Sequence, residues 1–166
     1  MTSQLINSKN CIEDFMEYTG EKDIEPFLNF LEMNSHEMKP YTNDEIEYLT
    51  KNYILPNCYI KFIKRAGNGM QMFRGSDYSF EYISTLKKWA IELLEENEFV
   101  KKLSENDFVF MMHQGYVFYF FNLEEGDDPP VYYYGEGENM DNFFKISDTF
   151  SGFLIDYYNR IESLKK

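Results

Sequence analysis

Cys58 and His113 are the residues best suited to nucleophilic chemistry, and Glu124, Glu125, Asp127 and Asp128 are those best suited to acid–base or cation chemistry. A thiol near the start of a helix becomes a better nucleophile as the helix dipole lowers its pKa, and an imidazole beside it would act as the base. Each group also has a plainer role. His113 falls at a predicted hairpin turn, where a structural hydrogen bond that fixes the turn is the ordinary function. His113→Ala should then cost stability and no turnover. His36, the second of two histidines, lies in a predicted loop far along the chain, so no Cys/His cluster with metal-ligand spacing exists. Cys58 reads as a small buried hydrophobe. The four carboxylates lack the ordered alternation of a calcium loop and sit in a turn without an apolar pocket to raise a pKa. Gly67-x-Gly69 and Gly135-x-Gly137 lack the lysine and the strand-to-helix layout of a phosphate loop, and read as caps or turns. The sequence therefore assigns no catalytic residue, no metal ligand and no cofactor.

What remains is recognition. Glu124, Glu125, Asp127 and Asp128 form an acidic turn, and Glu136, Glu138 and Asp141 follow the next predicted strand, where they would extend the same patch. The plain reading is a solvated loop that keeps the protein soluble. The functional reading is a negative interface that steers a basic partner and fills its cleft as a phosphate mimic. Tyr116, Tyr119, Tyr132, Tyr133 and Tyr134 supply aromatics beside it. Strand alternation puts Tyr132 and Tyr134 on one face and Tyr133 on the other. Sheet packing accounts for about half of these rings. Tyrosine is also enriched in binding hot spots. The candidate partner-binding set is Glu124, Glu125, Asp127, Asp128, Tyr132, Tyr134, Glu136 and Glu138, with His113 and Gly115 as turn residues.

Composition agrees with this direction. The chain has 166 residues, with 16 Lys and Arg against 29 Asp and Glu, a formal charge of −13. That balance argues against nucleic acid, whose binding needs cations to displace counterions, and against anionic membranes. Aromatics at 19% exclude a disordered acidic tail. The length suits one domain. Two cysteines, Cys11 and Cys58, are too few for a disulfide framework, and the N-terminus has no charged region followed by an apolar run. No apolar run approaches the ~20 residues of a membrane span. The expectation is a cytoplasmic protein, monomeric or weakly self-associating. Between Lys102 and Lys145 there are nine acids and no Lys or Arg.

The elements that must position these groups divide into helical and extended halves. A short helix near Asp14 to Tyr18 and another capped by Asp23, with Phe27, Leu28, Phe30 and Leu31 inward, open the chain. Residues from Asn34 to Thr42 read as its loosest segment. Thr42-Asn-Asp-Glu45 fits a capping box for a helix carrying Ile46, Leu49 and Tyr53. Leu55-Pro56 starts the next, with Pro56 at its first position, Tyr59, Phe62, Ile63 and Ala66 inward, and Gly67-Asn68-Gly69 as a left-handed end. Residues 70–83 read as irregular or short strand. Ser84 or Thr85 then starts a helix with Leu86, Trp89, Ala90 and Leu93 inward, ending near Asn97. Asp107 to Asn122 predicts a hairpin about Gln114-Gly115. Val131–Tyr134 makes a third strand and Phe143–Ile146 a fourth. Ser147 or Asp148 caps a last helix, on which Phe150, Phe153, Leu154, Tyr157, Tyr158 and Ile161 fall at helical spacing, and Lys165 and Lys166 suit the negative end of its dipole. The result is an α+β domain in which an antiparallel meander packs one face on the helices.

These stretches resemble the SUKH superfamily, the Smi/Knr-type proteins. The run Leu55-Pro56 through Gly67-Asn68-Gly69 looks like the family's "LP, helix, NG" signature. Phe110 to Phe121, with its His113-Gln114-Gly115-Tyr116 turn, resembles the central hairpin. Asp127-Asp128-Pro129-Pro130-Val131-Tyr132 looks like the start of the next strand, and Phe150-Ser151-Gly152-Phe153-Leu154 like the closing helix. The ordered match spans 42–166 and leaves 1–41 as an N-terminal helical extension. The resemblance implies a SUKH-like α+β fold with no catalytic residues to carry over. For bacterial members it implies immunity, the blocking of a cognate toxin domain used in competition between related cells. For fungal members it implies a scaffold or regulatory role in cell-wall synthesis and signalling. A small hydrolase built on Glu124–Asp128, or on Cys58 with His113, is the rival from another class.

Overall fold

The computed structural model describes residues 24–165. The expected helix near Asp14 to Tyr18, the Asp23 cap, Cys11 and Lys166 lie outside the described residues. Five helices and seven strands follow: α1 (Glu25–Met33), β1 (Met38–Lys39), α2 (Asn43–Asn52), α3 (Asn57–Ala66), β2 (Gly69–Met70), β3 (Ser76–Asp77), α4 (Phe80–Glu96), β4 (Asp107–His113), β5 (Val117–Asn122), β6 (Val131–Gly135), β7 (Phe144–Ser147) and α5 (Phe150–Leu164). Strands β3 to β7 form an antiparallel sheet in chain order, and β1 pairs with β2 in a separate ribbon. The architecture is α+β, as the order of elements predicts.

The sheet is covered on both faces, not one. Phe108, Phe110 and Phe121 contact Tyr59 of α3 and Phe150 of α5. On the opposite face, α4 packs along β4, while Phe99 and Phe143 cover Phe118, Phe120 and Tyr134. The physical sign is in the strands themselves. Phe108 to Met112 and Phe118 to Phe121 are buried without interruption. A strand with one wet face would alternate with polar residues. Phe110 shares the α3/α5 face with Phe108 by strand alternation, and a bulge between Val109 and Met111 shifts the register beyond it, so that Met111 pairs with Tyr119.

Several boundaries move because their caps come from distant residues. Helix α4 starts at Phe80, not at Ser84 or Thr85, because the Asn68 side chain accepts the Phe80 N–H at 3.0 Å. Asn68 also donates to Glu45 and to the Pro40 carbonyl, so this one amide joins three elements. The α2 capping box forms as expected, with Thr42 and Glu45 bonding reciprocally. Helix α3 begins at Asn57, with Pro56 one position earlier, in extended backbone. Helix α5 is capped by Thr149, which accepts the Gly152 N–H, because Ser147 is still the last residue of β7. Residues 34–42 are not loose: they contain β1, and Tyr41 is buried with its N–H on the Ile63 carbonyl. Helix α1 joins the same core through Phe27, Leu28 and Leu31, and Arg65 of α3 pairs with its Glu25 and Glu32.

Gly67 follows α3 at φ −61°, an ordinary helical angle, so the left-handed cap is not the reason for glycine. Space is the reason. A Cβ there would lie 2.4 Å from the buried Tyr41 ring and 2.9 Å from the Ile63 backbone. Gly67→Ala should therefore destabilise the protein by about 1–3 kcal/mol. Where space allows, the same change would stabilise through the unfolded chain. Urea unfolding checks the sign.

Tyr41, Tyr59 and Tyr78 stand close together in the core, and burial is the main cause that raises all three phenol pKa values. Their ionisation is favoured in the unfolded chain, so stability is intact below about pH 10 and falls as pH rises beyond it. Tyrosinate absorbance should show a late component that appears together with loss of the circular dichroism signal. Free titration of every tyrosine before unfolding would contradict this.

Candidate protein-binding surface

The acidic turn is tied down along its length. Leu123 N–H donates to the Asn106 carbonyl at 2.9 Å, and Glu124 N–H donates to the Asn122 side chain at 3.0 Å. The Asp127 carbonyl accepts the Cys58 N–H at 2.9 Å, which joins the turn to the first turn of α3. The Asp128 carboxylate accepts the Ser151 N–H at 2.9 Å and the Ser151 hydroxyl at 2.5 Å, which joins it to the start of α5. Pro129 is buried behind it. Tyr132 donates its hydroxyl to Glu125 at 3.0 Å. Its phenol pKa is raised, first by partial burial and then by that carboxylate. The backbone is thus fixed while Glu124, Glu125 and Asp127 stay exposed. Such a surface meets a partner with little ordering cost.

The sequence-derived residues do not form one patch. Glu124–Asp128 precede β6, while Glu136, Glu138 and Asp141 follow it, so the two groups sit at opposite ends of a strand roughly 14 Å long. Alternation places the tyrosines as expected. Tyr132 stacks on Phe120 and Tyr134 packs on Phe118 of one face, while Tyr133 stacks on Tyr119 of the other. Tyr134 is a core residue, 5% exposed against Phe99, and cannot reach a partner. Asp128 spends its carboxylate on Ser151 and is a structural residue in this fold. Tyr133 donates to Glu138 at 2.6 Å, and this bond, helped by partial burial, raises the phenol pKa to about 12.

The chemistry-bearing groups are separated. The His113 ring Nδ1 lies 2.9 Å from the Ser76 hydroxyl and joins β4 to β3, opposite its register partner. Gln114 and Gly115 both take positive φ, 51° and 82°, which makes the turn that glycine favours. Cys58 is buried at the other end of the sheet, beside Asp127, so the length of β4, roughly 20 Å, lies between thiol and imidazole. A cleft of about 380 Å³ lies by β2 and β3, and one of about 350 Å³ lies between α4 and the Gln114–Gly115 turn. Neither contains Cys58, His113 or the acidic turn. Among the described residues no group of His, Cys, Asp and Glu is placed to hold a metal ion. No described helix is long and apolar enough to cross a membrane.

A family model for the SMI1 / KNR4 family (SUKH-1) matches residues 40–156, more than two thirds of the chain. The chain belongs to the SMI1 / KNR4 family (SUKH-1). No curated protein matches it. The SUKH-1 match takes in the hairpin, the acidic turn and the first two turns of α5. Membership in SUKH-1 is consistent with a domain that binds other proteins. One exposed pair at this end of the sheet escaped sequence reasoning. Tyr53 and Ile54 join α2 to α3, and Ile54 is 90% exposed. Its only signal is its place between Tyr53 and Leu55-Pro56, which does not reveal which way an isoleucine faces.

Proposed function

We propose that the protein is a non-enzymatic immunity protein that binds and neutralises a cognate toxin domain, with its acidic surface as the interface. Family membership supports a protein-binding role. The observation that carries the reading is the braced acidic turn. Glu124, Glu125 and Asp127 are exposed on a backbone bonded to α3 and α5, so they present charge in a fixed arrangement. A toxin nuclease has a basic substrate cleft, and a rigid acidic surface would enter it and associate quickly by electrostatic steering. The protein would act in the cytoplasm, in one-to-one complex with its target. In this arrangement residues 42–166 form the binding domain, and residues 1–41 are an N-terminal extension.

The test is protection. A toxin-like domain encoded beside this protein's gene is expressed in a sensitive host with and without the protein. Growth restored by wild type, and lost again when Glu124 and Asp127 become Gln and Asn, is the expected result. Toxicity unchanged by wild type would overturn the proposal.

A further inference from the structure

The acidic end of the sheet has an apolar centre. After α2 the chain crosses to α3 through Tyr53–Pro56, with Tyr53 and Pro56 both in extended backbone. This connector is held at both ends. Tyr53 N–H donates to the Leu49 carbonyl at 2.9 Å, and the Tyr53 ring meets Phe108 edge-on at 5.2 Å. Leu55 and Pro56 are buried, and two residues later Cys58 N–H reaches the Asp127 carbonyl. Between these anchors Tyr53 is 41% and Ile54 90% exposed.

A single exposed isoleucine is ordinary on a protein surface. Ile54 differs in that the connector carrying it meets, at each end, a segment bonded to the acidic turn. Phe108, under Tyr53, follows Asp107, whose carboxylate accepts from Asn122, and Asn122 in turn accepts the Glu124 N–H. At the other end the Cys58 bond brings in Asp127. Two rival apolar positions, Val100 and Phe144, are different. Val100 precedes Lys101 and Lys102. Phe144 lies on the edge strand β7, whose bulge and whose Lys145, paired with Asp148, both discourage strand addition. An exposed apolar anchor inside a charged rim is the usual anatomy of a binding hot spot.

We infer that Tyr53 and Ile54 are the apolar anchor of a docking surface rimmed by Glu124, Glu125 and Asp127, and that its partner is a protein presenting an apolar socket flanked by Lys or Arg side chains. The inference rests on the protein-binding reading and goes beyond it, because it selects this end of the sheet over Glu136–Asp141. A second copy is a poor occupant, since it brings the same carboxylates and another −13 of charge.

The surface can be tested without the natural partner. The probe is a synthetic amphipathic peptide of Leu and Lys, with a Leu and Glu peptide as control, added to the ¹⁵N-labelled full chain. The expected amide shifts centre on Tyr53, Ile54 and Glu124–Asp127, appear with the Lys peptide alone, and weaken as salt is raised. Ile54→Ser should weaken binding about tenfold, and Glu124→Gln with Asp127→Asn should flatten the salt dependence. Both variants change exposed side chains, and an otherwise unchanged spectrum shows that they fold. Shifts centred on Glu136–Asp141 or on Trp89, equal binding by Ile54→Ser, no binding, or a dimer that depends on Ile54 would each overturn the inference. A toxin that wild type and Ile54→Ser inhibit equally sinks this inference and leaves the immunity reading intact. Failure of wild type to protect sinks the immunity reading, while the peptide map still decides the surface.

Discussion

Tyr59→Ala is expected to destabilise the protein by about 3–5 kcal/mol, enough to remove most of the stability of a domain this size. Tyr59 is 1% exposed, and its ring touches Phe62, Phe108, Phe110, Phe121 and Phe150. Those partners come from α3, β4, β5 and α5, so truncation opens a cavity where four elements meet. Most contacts are edge-to-face, which adds to the loss of buried area. Tyr59→Phe keeps the ring and should cost far less. Its hydroxyl adjoins the Tyr41 hydroxyl, which is buried without a well-formed hydrogen bond among the described residues. Urea unfolding of the two variants separates ring from hydroxyl. Equal losses would show that the phenol pair, and not the aromatic cluster, is the source of the effect.

Asp128→Ala should be the second largest loss, about 2–4 kcal/mol. The carboxylate serves the backbone N–H and the hydroxyl of Ser151, and Ser151 is 3% exposed. Removing a charged acceptor leaves the Ser151 N–H, in the first turn of α5, unpaired, and leaves the hydroxyl only its longer contact with the Thr149 hydroxyl at 3.3 Å. For a chain of this length the loss corresponds to a fall in Tm of roughly 5–15 °C. Glu124→Gln, four residues earlier, changes an exposed side chain and should leave Tm nearly unchanged. That contrast separates the structural carboxylate of the turn from one free to meet a partner. If the two variants melted alike, the bracing of the turn would be unsupported.

Most elements were legible in the sequence because their signals are local. The Thr42–Glu45 capping box, the Gln114-Gly115 turn and the helical spacing from Phe150 to Ile161 each need a few adjacent residues. What escaped depends on distant groups. The start of α4 is set by Asn68, and the close approach at Gly67 by Tyr41. The two-sided burial of the sheet depends on α4 crossing behind it, although the unbroken apolar runs of β4 and β5 carried the hint. The candidate surface was half legible. Acid counts point to Glu124–Asp128, but no local rule says that Asp128 turns inward to Ser151 or that Tyr134 faces Phe99. Strand alternation assigned Tyr132 and Tyr134 correctly to a shared face. It could not tell that this face is covered over Tyr134. Nor could it place Glu136–Asp141 at the far end of β6, since linear proximity across a strand is spatial separation.

Immunity is tested most directly by co-purification of the tagged protein from its native host at low and at high salt, with mass spectrometry of what is retained. The expected result is a stoichiometric partner with a basic toxin-like domain, held at low salt, weakened at high salt, and inhibited in its own activity when bound. Retention of envelope-synthesis enzymes, or of nothing, would contradict it and leave the acidic surface as a solubility feature.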